Sequence, residues 1–149
     1  MSFVNLRAQE NNTSQINWIT WEEAVKIQDS ATSPKKMYID MYTDWCVWCK
    51  RMDKSTFSDP AVIKYMNEHF YMVKFNAESK KIIVYKGKDY HFVPYGRNGF
   101  HQLAYNLLNG QLGYPSGVIL DEHQKRIDVV QGYLPAQDFL ENIKSYVTN

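Results

Sequence analysis

The chain has 149 residues, 44% of them hydrophobic and 22% charged, which suits one globular domain with its own core and leaves no room for a second full domain. Seventeen Lys+Arg against sixteen Asp+Glu give a net charge of +1, far from the basic balance of a nucleic-acid binder. The longest uncharged stretch, Asn98 to Leu120, is broken by five amides, His101, four glycines and Pro115, so no membrane span is expected.

Met1 to Gln9 lacks the charged start and long apolar run of a complete signal peptide, which favours a cytoplasmic chain. The apolar-leaning stretch ending in Ala8 also suits the tail of a signal peptide that begins upstream, which favours a periplasmic or secreted one. Residues 1–15 are therefore expected to form a flexible arm or signal remnant, and 16–149 the domain.

Ile16 to Ile19 is short and rich in isoleucine. Thr20-Trp-Glu-Glu23 has the form of a capping box, predicting a helix over 21–29. After Ser33-Pro34, Lys36 to Tyr42 is expected as a buried strand carrying one acid, Asp40. Cys46, Cys49 and Met52/Asp53 then recur at helical spacing, which places Cys46 at a helix N-terminus. Asp59-Pro60 supplies an N-cap and first-turn proline for a helix through Glu68, followed by a strand over 70–76.

From Lys81 the pattern predicts a hairpin with Gly87-Lys88 as its two-residue turn and a second strand through Asp89–Val93. A short helix is expected over Phe100–Leu108. A second hairpin should pair Gly117–Asp121 with Lys125–Gln131, before a final helix from Pro135 to about Val147. This order predicts an α/β domain: a mixed central sheet with helices on both faces.

Cys46 and Cys49 are the chain's two cysteines, and their spacing fits zinc, a structural bridge or redox chemistry. Zinc needs two further ligands, and His69, His91, His101 and His123 show no suitable pairing, so no metal is expected. A structural disulfide over so short a loop removes little chain entropy. A helix N-terminus favours a thiolate, so Cys46 is the expected nucleophile and Cys49 the resolving thiol.

Asp40-Met-Tyr-Thr-Asp-Trp45-Cys-Val-Trp-Cys49-Lys50 resembles the active-site strand and helix of thioredoxin-like proteins. The resemblance covers about residues 16–147 and implies the thioredoxin-like fold. It matches Asp40 to the family's buried acid and Lys74 to the lysine beside it. Tyr114-Pro115-Ser116 resembles the cis-proline loop that faces the CxxC, and Gly132 the glycine before the last helix. The chain is also similar to Bacteroidetes-type exported members with an insertion before the cis-proline, here an added hairpin and helix over about 77–113.

This resemblance implies a thiol-disulfide oxidoreductase that reduces protein disulfides, needing no cofactor beyond the redox-active Cys46–Cys49 pair. Its catalytic residues would be Cys46, Cys49, Asp40 and Lys74. Trp45, Val47, Trp48, Tyr114, Pro115 and Ser116 would bind substrate. Expected partners are protein thiols and disulfides and an upstream electron donor, with the chain a monomer. Val47-Trp48 replaces the family's Gly-Pro, which leaves direction open, since the dipeptide tunes the potential. Two alternatives stand beside the reductase: a disulfide oxidase or isomerase, and a binding or chaperone-like module using the aromatic surface around the CxxC.

The insertion carries five of the seventeen Lys+Arg and two of the sixteen Asp+Glu. Its location before Pro115 raises the expectation that Tyr85, Tyr90, His91, Phe92 and Tyr95 wall a substrate groove, with Lys86, Lys88 and Arg97 drawing an acidic partner. The opposing expectation is that the aromatics only pack the hairpin and the lysines keep its edge soluble.

Overall fold

A computed structural model of the chain describes residues 14–147. The arm expected over 1–15 therefore lies mostly outside the described residues. The elements follow in order: β1 (Trp18–Ile19), α1 (Trp21–Ser30), β2 (Lys36–Tyr42), α2 (Val47–Lys54), a 3-10 turn (Thr56–Ser58), α3 (Pro60–His69) and β3 (Phe70–Asn76). After these come β4 (Ile83–Tyr85), β5 (Lys88–Tyr90), β6 (Phe92–Val93), β7 (Phe100–His101), α4 (Gln102–Leu107), β8 (Ser116–Leu120), β9 (Arg126–Gln131) and α5 (Ala136–Lys144). Among the described residues no helix is long and apolar enough to cross a membrane.

Five strands form the central sheet in the order β1-β3-β2-β8-β9. β1, β3 and β2 run parallel, whereas β8 and β9 are antiparallel to their neighbours. Side chains alternate between faces along each strand, so β2 splits its residues into two cores. Met37, Ile39 and Met41 face α1 and α4 through Trp21, Ala24, Leu103, Ala104 and Leu108. Tyr38 faces the other way, towards Met52, Phe57, Val62, Met66, Phe139 and Ile143. Helices thus cover both faces, as expected.

The same alternation puts Asp40, two residues after Tyr38, on the face covered by α2. Lys74, two residues after Met72 on β3, shares that face, and Asp40 and Lys74 are register partners. Gly117 is Asp40's partner across β8. A β-carbon there would collide with the Tyr38 ring, so only glycine lets this ring lie flat beside the strand.

The helix signals behave as their chemistry predicts. Thr20 and Glu23 form the complete capping box, and Asp59 accepts from the amides of Ala61 and Val62 with Pro60 in the first turn. The insertion departs from expectation in three ways. Lys86 (φ 51°) and Gly87 (φ 76°) are both left-handed, so they form the turn and glycine stands second, not first. The strand expected over 89–93 is split, because β6 leaves β5 to pair with β7, and the His91 amide donates to the Gln102 side-chain Oε1 while its carbonyl accepts from the Gln102 amide. The expected helix over 100–108 starts two residues late, since Phe100 and His101 are strand. His101, fully buried, caps α4 by accepting from the Leu103 amide at Nδ1, while Nε2 contacts the Lys81 carbonyl.

Candidate functional site

β2 ends at Tyr42, and Thr43-Asp44-Trp45 carries the chain to Cys46 at the N-cap of α2. Cys46 and Cys49 form a disulfide, with Cα atoms 5.3 Å apart. The Cys46 Sγ accepts from the Cys49 amide at 3.1 Å, one of the free N–H groups of the helix start. After reduction that N–H and the partial positive charge of the helix end stabilise a thiolate on Cys46. Exposure does not separate the cysteines, since both are 4% exposed. Their difference lies in position: Cys46 caps the helix and Cys49 sits within it beside buried Met52.

Asp40 is 3% exposed, and burial pushes its carboxyl up to about 6, against the pull of the Lys74 charge. Lys74 Nζ donates to Asp40 Oδ2 and to Asp53 Oδ1, each at 2.6 Å. Burial draws the Lys74 ammonium down, but the two carboxylates outweigh it and hold it above its ordinary value. Its Nζ also lies 4.8 Å from the Trp18 ring centroid and 5.0 Å from that of Tyr42.

Asp53 was not singled out as functional from the sequence, although it lies four residues after Cys49 on the same helix face. That spacing was the available signal. Lys74 thereby ties the floor of the sheet to the Cys49 face of α2. A cleft of about 650 Å³ lined by Trp18, Phe57, Asp53 and Lys74 gives the chain of charges one end open to water, while Asp40 stays buried.

On the outer surface Trp45, Val47 and Trp48 are 55%, 60% and 52% exposed, a large apolar display for three residues bracketing a cysteine. Trp48 packs on Tyr133 and lies under the Arg51 guanidinium, 4.8 Å away. Tyr114 meets Trp45 edge-on at 6.2 Å. The Tyr114–Pro115 peptide is cis.

The Pro115 carbonyl accepts from Gly132, whose φ of 87° suits glycine, so the end of β9 anchors the loop. Leu112, Tyr114, Pro115 and Gly132 line a cleft of about 430 Å³ beside it. Ser116 also lines this cleft; it is 2% exposed and its hydroxyl donates to the Gly113 carbonyl, so its side chain braces the loop.

The insertion hairpin does not wall the site. Tyr85 packs on Trp21, and its hydroxyl donates to Gln124 in the turn joining β8 to β9. That turn follows Leu120, which pairs with Met37 at the start of β2, whereas the CxxC follows the other end of β2. The hairpin tip with Lys86 therefore lies at the far end of the sheet, and Tyr90 is buried in the α1-side core. Packing explains Tyr85 and Tyr90, and solvation explains Lys86; Phe92 instead pairs with His101, which bonds to Ala77 beside the end of β2.

The profile of the family described as Thioredox_DsbH, "Protein of unknown function, DUF255", matches residues 5–91. A curated relative, the thiol:disulfide interchange protein DsbD of Pectobacterium atrosepticum, is 37% identical over 59 residues, which is 39% of this chain and 10% of the relative. The chain thus matches only about a tenth of that protein's length. A thioredoxin from Thermus thermophilus superposes with a TM-score of 0.65 at 15% identity, covering 90% of this chain and 88% of that one. A structure described as DsbH oxidoreductase gives 0.63 at 16% identity, covering 95% and 96%. At these identities the structural likeness establishes the fold.

Proposed function

The chain belongs to this thioredoxin-like DsbH (DUF255) family, and from that premise we propose that it reduces protein disulfides by thiol-disulfide exchange. The observation that carries the reading is the Cys46–Cys49 pair at the start of α2, above the buried Asp40–Lys74–Asp53 chain. The Cys46 thiolate attacks one sulfur of the substrate disulfide. That S–S bond breaks, the mixed disulfide forms, and the departing thiolate takes a proton.

Asp40 then accepts the Cys49 proton, and the Cys49 thiolate attacks the Cys46 sulfur. This forms the Cys46–Cys49 bond and releases the second substrate thiol, so two electrons pass to the substrate. An upstream dithiol donor must return the pair to its reduced form. Lys74 stabilises the Asp40 carboxylate until it takes that proton, and Asp53 links the chain to solvent. Trp45, Val47, Trp48, Tyr114 and Pro115 would offer the apolar surface against which substrate lies. The proposed compartment is the periplasm, an oxidising space in which disulfide-bonded substrates occur, and cell fractionation tests it.

Turnover of a disulfide-bonded protein by the reduced chain, supplied with a dithiol donor, tests the reading. Cys46→Ala should abolish it, and Cys49→Ser should accumulate a mixed disulfide through Cys46. A second reading, a binding module, draws on the half-exposed Trp45 and Trp48. It is favoured if Cys46→Ala binds unfolded chains as well as the wild type does and the wild type shows no turnover.

A further inference from the structure

We propose that Glu78 is a positioning residue that fixes the Trp45 indole and so sets preference for substrates with an apolar residue beside the attacked cysteine, an inference that rests on the disulfide-exchange reading above. Glu78 stands at the start of the insertion, just beyond the end of β3. Trp45 Nε1 donates to both of its carboxylate oxygens, at 3.1 and 3.0 Å. The indole also meets Tyr114, at the end of the insertion, edge-on. The two ends of the insertion therefore grip the residue that immediately precedes the nucleophile.

Glu78 is itself held in place. Its amide donates to Asn76 Oδ1 at 2.9 Å, and Asn76 Nδ2 donates to Asp44 Oδ1 at 3.4 Å. The end of β3, the CxxC loop and the insertion thus form one hydrogen-bonded unit. Tyr114 senses the same carboxylate: burial first, and the Glu78 charge second, push its phenol up to about 12, so it stays a neutral ring.

Trp45 remains 55% exposed even in this grip. A half-exposed indole without such partners samples several rotamers and loses entropy when a substrate orders it. Held by Glu78 and Tyr114, it presents one preformed apolar wall between the disulfide and the Tyr114–Pro115 loop. An apolar side chain flanking the substrate cysteine gains from that wall, whereas an aspartate there loses hydration. The insertion acts on the site through its ends, not through its hairpin.

The test uses two disulfide-linked peptides, identical except that leucine or aspartate flanks the attacked cysteine, and three chains: wild type, Glu78→Ala and Glu78→Gln. Glutamine can still accept from the indole. Glu78→Ala should lower the leucine-over-aspartate ratio of kcat/KM about fivefold, as loss of one net hydrogen bond allows, with the change in KM. Glu78→Gln should retain most of the ratio. The Trp45 indole N–H resonance should move in Glu78→Ala and exchange faster with solvent.

An unchanged ratio in Glu78→Ala despite a shifted indole resonance overturns the proposal, as does equal damage from both substitutions. The exchange reading itself fails differently: the wild type would then reduce neither peptide nor hydroxyethyl disulfide, while the indole resonance would still report the grip.

Discussion

The two ends of the central sheet obey different rules. At the far end, where the β8–β9 turn meets the insertion hairpin, polar groups are solvated or paired in ordinary ways: Tyr85 with Gln124, Lys36 with Glu122, and Lys86 and Lys88 over neighbouring tyrosines. At the near end one sheet face buries a carboxyl, and two tryptophans stand in solvent on either side of a disulfide cysteine, one of them edge-on to Tyr114. A fold tolerates a buried carboxyl and exposed tryptophans beside a disulfide where chemistry needs them.

Asp40→Asn tests the near end and should have the largest effect. Protein-disulfide turnover should fall about tenfold or more, since a positioned base contributes on the order of 100-fold or more when it is fully used. The Cys46 alkylation rate at neutral pH should change little. Stopped-flow turnover and iodoacetamide labelling of the reduced protein check the two halves, and a wild-type turnover rate would return Asp40 to a purely structural role.

The same substitution sharpens the contrast through stability. The Asp40 carboxyl titrates near 6 in the fold, above an unfolded value near 3.9, so between those pH values the native state holds more protons than the unfolded chain. Its contribution is therefore fully present below about pH 4 and is lost as pH rises through 6, by about 3 kcal/mol. Asp121 and Glu122, lowered by hydrogen bonds at the far end, act in the opposite direction, with stability lost as pH falls. Urea unfolding of the oxidised wild type and Asp40→Asn at pH 4 and 7 isolates the difference. The variant should gain on the wild type at pH 7 and not at pH 4.

The smallest effect belongs to the hairpin. Lys86→Glu with Lys88→Glu should leave kcat/KM for a protein substrate within about twofold at low and high salt, because screening limits exposed charges at the far end of the sheet. A large, salt-dependent loss would show that the hairpin reaches the substrate after all.

Much of this division was legible in the sequence. Capping residues, the strand pattern of 36–42 and the CxxC spacing act locally, and they specified α1, β2, α3 and the helix under Cys46. Asp40 and Lys74 came from resemblance, and strand alternation explains why they share a face. What stayed hidden depended on contacts distant in sequence. Asp53 joins the site through a lysine on β3, 21 positions away, and Glu78 through a tryptophan 33 positions away. The insertion misled because adjacency to Pro115 in sequence says nothing about where a hairpin's tip points. Its turn was displaced by one residue because Lys86 adopts a left-handed conformation that its type rarely takes.

We propose a disulfide reductase at the near end of the sheet, and the reduction potential of the Cys46–Cys49 pair reports its direction. Equilibrated against glutathione buffers and read by alkylation and mass, the pair should titrate as a two-electron couple near −270 mV, about the value of thioredoxin. A value near −120 mV, about that of the strong oxidant DsbA, would contradict the proposed direction and make the chain a donor of disulfides.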